Sequence, residues 1–466
     1  SFDELKKLAA EISEYLTLLS DRVKLLDLVK SELIEIKENY ATPRRSTIED
    51  SEYEMDIEDL IPKEEMVVVA TLNGYIKRVS LDAYKTQRRG GKGRSAMDVR
   101  DEDIATDIFV ANTHTPILFF SNKGKCYKMK AYKLPLGSPQ AKGRALVNLL
   151  PIDQDEKIST ILALPEDEST WKDLSIIFAT SSGDVRRNSM DQFADIRSSG
   201  KIAMKLEGDE ALIGVNICTE KDDVLLATKS GKCIRFPVEK LRLFQSRNST
   251  GVRGIKLSAE NKVMSMSILN HANEDSETKE KYLKVNVNTR IDIACALKFN
   301  KELEENPSED LLVQPKSVPD AKGEGISQEL VEKMALNEEF IFTITENGFG
   351  KRSSAYEYRI TNRGGTGITN IVTSERNGSV VASFPIECCD QAMIITDKGT
   401  LIRTEVGTVR ITGRNTQGVT LIKTKDEKVS SVARIANSGN KEIDEAEVGE
   451  EISDECAPKT EDETES

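Results

Sequence analysis

Seven residues, Gln87-Arg88-Arg89-Gly90-Gly91-Lys92-Gly93, bring three fixed cations and three glycines into one short stretch. Arginine and lysine make charge-assisted hydrogen bonds to phosphate, and glycine lets the backbone take positive φ and approach a partner closely. The chemistry that suits this composition is contact with a polyanion backbone. It is not a mononucleotide phosphate loop, because Lys92 is followed by Gly93-Arg94-Ser95 rather than by serine or threonine. No GxSxG or HExxH hydrolase signature occurs, and the run Asp101-Glu102-Asp103 reads as a solvated loop. The seven cysteines (126, 218, 233, 295, 388, 389 and 456) form no CxxC pair, and neither His114 nor His271 has a ligand at metal spacing, so no metal site is expected. Scattered thiols fit a reducing cytoplasm. No signal peptide or apolar run of about 18 residues suggests membrane insertion.

The elements that would position such a loop repeat along the chain. Six segments share one grammar of β-run, Thr or Ser, two residues, Gly and a second β-run: TLNGYIKR (71–78), SNKGKCYK (121–128), TSSGDVRR (180–187), TKSGKCIR (228–235), TENGFGKR (345–352) and TDKGTLIR (396–403). Glycine between two β-branched or aromatic runs predicts a hairpin, with the strongest signals at Asn73-Gly74 and Asn347-Gly348. A cation stands four residues after every turn glycine: Arg78, Lys128, Arg187, Arg235, Arg352 and Arg403. Six cations in register predict a stripe of positive charge, so all six are candidate rim contacts. The alternative is that they protect sheet edges from aggregation.

Diluted copies of the opening box also recur, as QAKGR (140–144), RSSGK (197–201), RNSTGVRG (247–254), NRGGTG (362–367) and RNTQG (414–418). Units of about 50 residues built from short strands predict propeller-like blades of four-stranded sheet. The expected fold is an all-β, six-bladed pinwheel over 66–440. Its fourth and fifth units are separated by an insertion at about 272–338, expected to be a partly mobile surface excursion with helix-like pieces near 279–300 and 327–338.

Before the repeats, residues 1–40 carry apolar positions at spacings of three and four, which predicts a helical coiled-coil arm. That pattern is already running at Ser1 without a convincing cap, which reads as part of something longer. Residues 41–65 read as an acidic linker and 441–466 as a disordered acidic tail. The formal net charge of −14 conceals this division. The regions 1–65, 272–338 and 441–466 carry −9, −6 and −10, whereas the remainder holds 45 basic against 34 acidic residues, or +11. A basic body with glycine loops suits sequence-tolerant contact with duplex backbone. With one Trp and 5% aromatic residues there is no stacking ladder for single strands, and no recognition helix is apparent. A propeller whose basic rim docks an acidic protein is the competing reading.

The box at 87–93 and the six units resemble the C-terminal domain of the bacterial DNA gyrase A subunit, and helix 1–40 followed by ATPRRSTI (41–48) is similar to the end of that subunit's coiled-coil arm. The resemblance implies a β-pinwheel whose rim wraps duplex DNA into a positive turn, with Gln87 through Gly93 holding the wrap closed. It implies a type II topoisomerase, cytoplasmic and nucleoid-associated, with a gyrase B subunit and a second A subunit in an A2B2 holoenzyme. ATP and Mg2+ belong to that holoenzyme, and no cofactor is expected in this stretch. The family's cleavage tyrosine motif has no counterpart among the ten tyrosines here, so this stretch is expected to be non-catalytic. The topoisomerase IV counterpart is the alternative within the superfamily, which typically has the box eroded.

Overall fold

The computed structural model describes residues 2–42, 57–71, 73–80, 105–138, 141–153, 155–247, 249–305, 314–321, 325–388, 390–398, 401–424 and 426–435. These fall into two compact units that divide between Leu60 and Ile61. The first holds helices α1 (Phe2–Ser20) and α2 (Arg22–Tyr40). The periodicity predicts one helix; the chain breaks it at Asp21, whose extended backbone and side chain, accepting from Val23 N at 2.9 Å, start α2 afresh. None of the apolar stripe is buried.

The second unit contains the six repeats, each contributing an antiparallel hairpin and a third strand. In the fourth repeat, Asp222–Thr228 pairs with Lys232–Pro237 on one side and Val263–Asn270 on the other. The Thr or Ser of the sequence grammar has a local purpose. Thr228 Oγ1 accepts from Lys232 N at 3.2 Å, and Thr71 and Ser121 accept likewise from Tyr75 N and Lys125 N. The turn closes by Gly231 N donating to Thr228 O at 3.1 Å. Among the described residues only glycines take positive φ, Gly231 at +79° among them. These hairpins therefore use a type I turn followed by a left-handed glycine, and Asn73 and Asn347 adopt no left-handed conformation.

The sheets do not coincide with the sequence repeats. Four of the six units complete their sheet with a short strand from the next repeat: Arg144–Ala145 on Tyr75–Ser80, Lys201–Ile202 on Lys125–Lys130, Ile368–Thr369 on Lys232–Pro237 and Val419–Thr420 on Phe349–Ser354. The third unit takes two, Leu243–Phe244 and Val252–Arg253. The sixth sheet has three strands among the described residues. The third strand of the sixth unit (Val429–Ile435) packs beside that of the first (Ala105–Asn112), so the last repeat meets the first. Hydrophobic clusters lie between neighbouring sheets, such as Phe120, Trp171, Phe178 and Phe193 between the second and third.

Gly231 is fixed by this exchange. Its carbonyl accepts from Asn370 N at 2.8 Å and Ile371 N at 3.1 Å in the next repeat, and a methyl group there would overlap the Ile371 carbonyl. Gly231→Ala is expected to cost more than the roughly 1–2 kcal/mol of left-handed strain alone, read as a lowered denaturation midpoint. An unchanged midpoint would overturn this account of the junction.

Among its described residues the insertion carries three helices. It forms α3 (Ser276–Lys284), α4 (Val287–Glu305) and α5 (Gln328–Leu336), with α3 capped by Asp275 and α5 by Ser327. Tyr282, Val285, Ile293, Val331 and Met334 bury themselves with Tyr356 of the fifth repeat. Glu338 accepts from Tyr282 Oη at 2.7 Å and Ser354 Oγ at 2.6 Å, and burial pushes its carboxyl above the usual range. The cluster around Tyr356 ties the described part of the insertion to the fifth repeat.

Candidate nucleic-acid interface

The box residues Gln87, Arg88, Arg89, Gly90, Gly91, Lys92 and Gly93 lie outside the described residues. The in-register cations lie largely within them, and they do not form a rim stripe. Arg187, Arg235 and Arg352 are 5%, 2% and 6% exposed. Each side chain reaches into the next repeat, at or beside a 3-10 helix. Arg352 donates from Nε to Val409 O and from Nη2 to Gly407 O, both at 2.8 Å. Arg187 reaches Leu241 O at 3.3 Å and Glu220 at 2.7 Å. Arg235 bonds Asp223 Oδ2, Ala355 O and Asn270 O, each at 2.8 Å. Half-buried Arg78 and Lys128 repeat the pattern through Leu134 O at 2.8 Å and Ala194 O at 2.6 Å, and Lys128 also lies over the Trp171 ring.

Burial removes Arg187, Arg235 and Arg352 from the expected rim contacts, while Arg78 and Lys128 make the same inter-repeat bonds but stay half-exposed. Arg78, Lys128, Arg187 and Arg352 reach the C-cap carbonyl of a 3-10 helix, where the backbone carries partial negative charge, and Arg235 reaches the first residue of one. The register exists because each repeat must clamp the next. Arg403 occupies the equivalent backbone position, opposite Met393.

The cations that face solvent stand on the exchanged loops. Lys142, Arg144, Arg197, Arg253 and Arg363 are exposed beside the loop glycines. A second set escapes the sequence pattern described above: Lys205, Lys256 and Lys423. Each follows a residue whose N–H donates to the preceding repeat's turn glycine: Met204 to Gly124 O at 3.1 Å, Ile255 to Gly183 O and Ile422 to Gly348 O at 3.2 Å. All three are exposed and have no carboxylate partner among the described residues. A signal for them exists in the sequence, since each stands five residues after its loop glycine (Gly200, Gly251, Gly418).

Glycine fits the loops for steric reasons as well. Gly251, at φ +92°, lies on the Val185 carbonyl and the Arg186 stem, leaving no room for a Cβ. Such an arrangement can present fixed cations and backbone to a polyanion. The buried thiols of Cys218 and Cys233 are pushed up to about 12 by desolvation, away from a reactive thiolate. No group of His, Cys, Asp and Glu suited to a metal ion occurs among the described residues, and no helix there is long and apolar enough to cross a membrane.

Six stretches, 65–112, 115–165, 175–219, 222–270, 339–387 and 390–436, match the family model of the DNA gyrase C-terminal domain, beta-propeller. The DNA gyrase A subunit of Rickettsia bellii (strain RML369-C) is 50% identical over 454 residues, which is 97% of this chain and 48% of that protein. The chain thus spans about half the length of the curated relatives it matches. Among solved structures, the C-terminal domain of DNA topoisomerase IV aligns at a TM-score of 0.58 and 18% identity, covering 80% of this chain and 94% of that one. The DNA gyrase A C-terminal domain aligns at a TM-score of 0.50 and 23% identity, covering 80% and 100%. Those two likenesses speak for the fold alone. The family matches fall on each of the six strand-exchanged repeats and skip the helical insertion, and on that basis the chain belongs to the DNA gyrase C-terminal domain family.

Proposed function

We propose that this chain binds and wraps duplex DNA over its exposed loops as the C-terminal part of a DNA gyrase A subunit. The holoenzyme, a type II topoisomerase, would then introduce negative supercoils at the expense of ATP. The observation that carries this reading is the set of exposed loop cations, Lys205, Lys256 and Lys423 foremost, on a body of net charge +11. Fixed cations of one sign neutralise phosphates without reading bases, which suits wrapping of arbitrary sequence. The box 87–93 acts as the latch that closes the wrap, and Arg403 remains a candidate contact. The stretch itself supplies no catalytic residue. Its partners in this reading are duplex DNA, a second A subunit and the gyrase B subunit in an A2B2 assembly. ATP and Mg2+ are bound elsewhere in that assembly, in a bacterial cytoplasm at the nucleoid.

The test is duplex binding across a salt series together with a minicircle topology assay. Lys205→Ala, Lys256→Ala and Lys423→Ala combined are expected to flatten the slope of log K against log salt by about 2.7, at about 0.9 per phosphate, with folding retained. No measurable duplex binding by the wild-type chain at low salt would favour a protein-docking propeller instead.

A further inference from the structure

Beneath the loops, three buried cations recur on alternate repeats. Lys77, Arg186 and Lys351 stand three residues after their turn glycines and are 1%, 0% and 0% exposed. Each donates to main-chain carbonyls of the glycine loop that follows. Lys77 Nζ reaches Ala141 O at 2.8 Å and Ser138 O at 3.3 Å. Arg186 Nη1 reaches Arg247 O at 2.6 Å and Ser249 O at 2.7 Å. Lys351 Nζ reaches Arg414 O at 2.6 Å, Gly413 O at 2.8 Å and Thr416 Oγ1 at 3.3 Å. Arg186 is 0% exposed and its side chain also bonds Asn188 Oδ1 at 2.7 Å, while Glu357 is the carboxylate that faces Lys351.

Burying a charge is costly, and the fold does not demand one here. The same position in the second, fourth and sixth repeats holds Tyr127, Ile234 and Ile402. What the cation does is local: it draws the loop carbonyls inward. The negative ends of those peptide dipoles then leave the outer face, where Lys142, Arg144 and Arg253 are exposed. A positive charge held just beneath the loop also acts through protein rather than water, and is weakly screened.

We propose that Lys77, Arg186 and Lys351 are positioning residues that hold the glycine loops of alternate blades in a geometry that seats duplex phosphates. The duplex is then gripped more firmly at every second blade. This rests on the DNA-wrapping reading above and adds which loops grip hardest.

Lys351 gives the cleanest test, in the full chain with a labelled linear duplex. Lys351→Met keeps an unbranched stem without the charge; it should lower affinity about tenfold and flatten the salt slope by about 0.9, one phosphate seat. Lys351→Arg should restore both. Desolvation holds the Lys351 ammonium down at about 7. The charged and titratable groups facing it are Glu357 after the hairpin, Cys233 on the neighbouring sheet and Arg414 in the loop. Wild-type binding should therefore weaken as pH rises from 6 to 8, while Lys351→Arg stays flat.

Stability moves the other way, because above about 7 the unfolded chain retains a proton that the folded chain has lost. A purely structural lysine would not make binding fall while stability rises. If Lys351→Met does not fold, the wild-type and Lys351→Arg pH profiles decide the matter. Wild-type affinity, slope and pH profile in Lys351→Met, or identical pH profiles for wild type and Lys351→Arg, overturn the positioning role alone. Absence of duplex binding by the wild-type chain overturns the underlying reading and this one with it.

Discussion

Replacing Arg88, Arg89 and Lys92 together with alanine is expected to abolish the linking-number change that the chain imposes on a relaxed minicircle, while its melting transition stays in place. The box concentrates three cations in seven residues, whereas QAKGR, RSSGK and RNTQG carry one or two each. Each phosphate neutralised contributes about 0.9 to the salt slope, so the triple variant should lose about 2.7. Lys205, Lys256 and Lys423 supply a matched control, because the same charge is removed but from three separate loops. Bending duplex into a closed turn costs elastic energy that distributed contacts offset only while its end is held. The box triple should therefore eliminate the topological signal, and the distributed triple should weaken affinity and leave a reduced one. Equal residual topology in the two variants would remove the latch from the account.

Arg235→Met should have the largest effect on stability, about 3–5 kcal/mol. Its guanidinium is 2% exposed and bonds Asp223, which is fully buried, together with the carbonyls of Ala355 and Asn270. Removing it leaves a buried carboxylate whose other described partner is His271 Nδ1, at 2.7 Å, and strands two carbonyls. The loss falls on the junction between the fourth and fifth repeats, where the helical insertion departs and returns. Denaturant unfolding reads the magnitude, and Asp223→Asn in the Arg235→Met background should recover part of it, because the orphaned charge is then gone. The outcome that would restore Arg235 to the rim is the opposite pattern, full stability with lost duplex binding.

The two variants separate what the register of cations means. Arg78, Lys128, Arg187, Arg235 and Arg352 are legible as a periodic signal, and periodicity at a strand position shows that something repeats. It does not show whether the side chain meets solvent or the neighbouring repeat. That choice depends on the exchanged strand, which brings Gly407 and Val409 within reach of Arg352 across more than fifty residues of chain. The Lys77, Arg186 and Lys351 set is hidden in the sequence because Tyr127, Ile234 and Ile402 interrupt it, so no column of like residues marks it. The insertion's helix-forming stretches are visible, but its burial against Tyr356 is not, since no local pattern names a distant partner.

What the sequence determined by itself is the unit: Thr or Ser, two residues and glycine make a turn whose hydrogen bonds all close within five residues, so its geometry is local. Six such units, the basic body beneath a net charge of −14 and the cationic box follow from residue order alone. The tertiary structure decided where each unit ends. By lending short strands back to the preceding sheet, the chain turns one set of cations into clamps, sets a second beneath alternate loops and leaves a third, Lys205, Lys256 and Lys423, facing solvent. Pairing between repeats is a long-range choice made by packing, and the same lysine or arginine serves any of the three places.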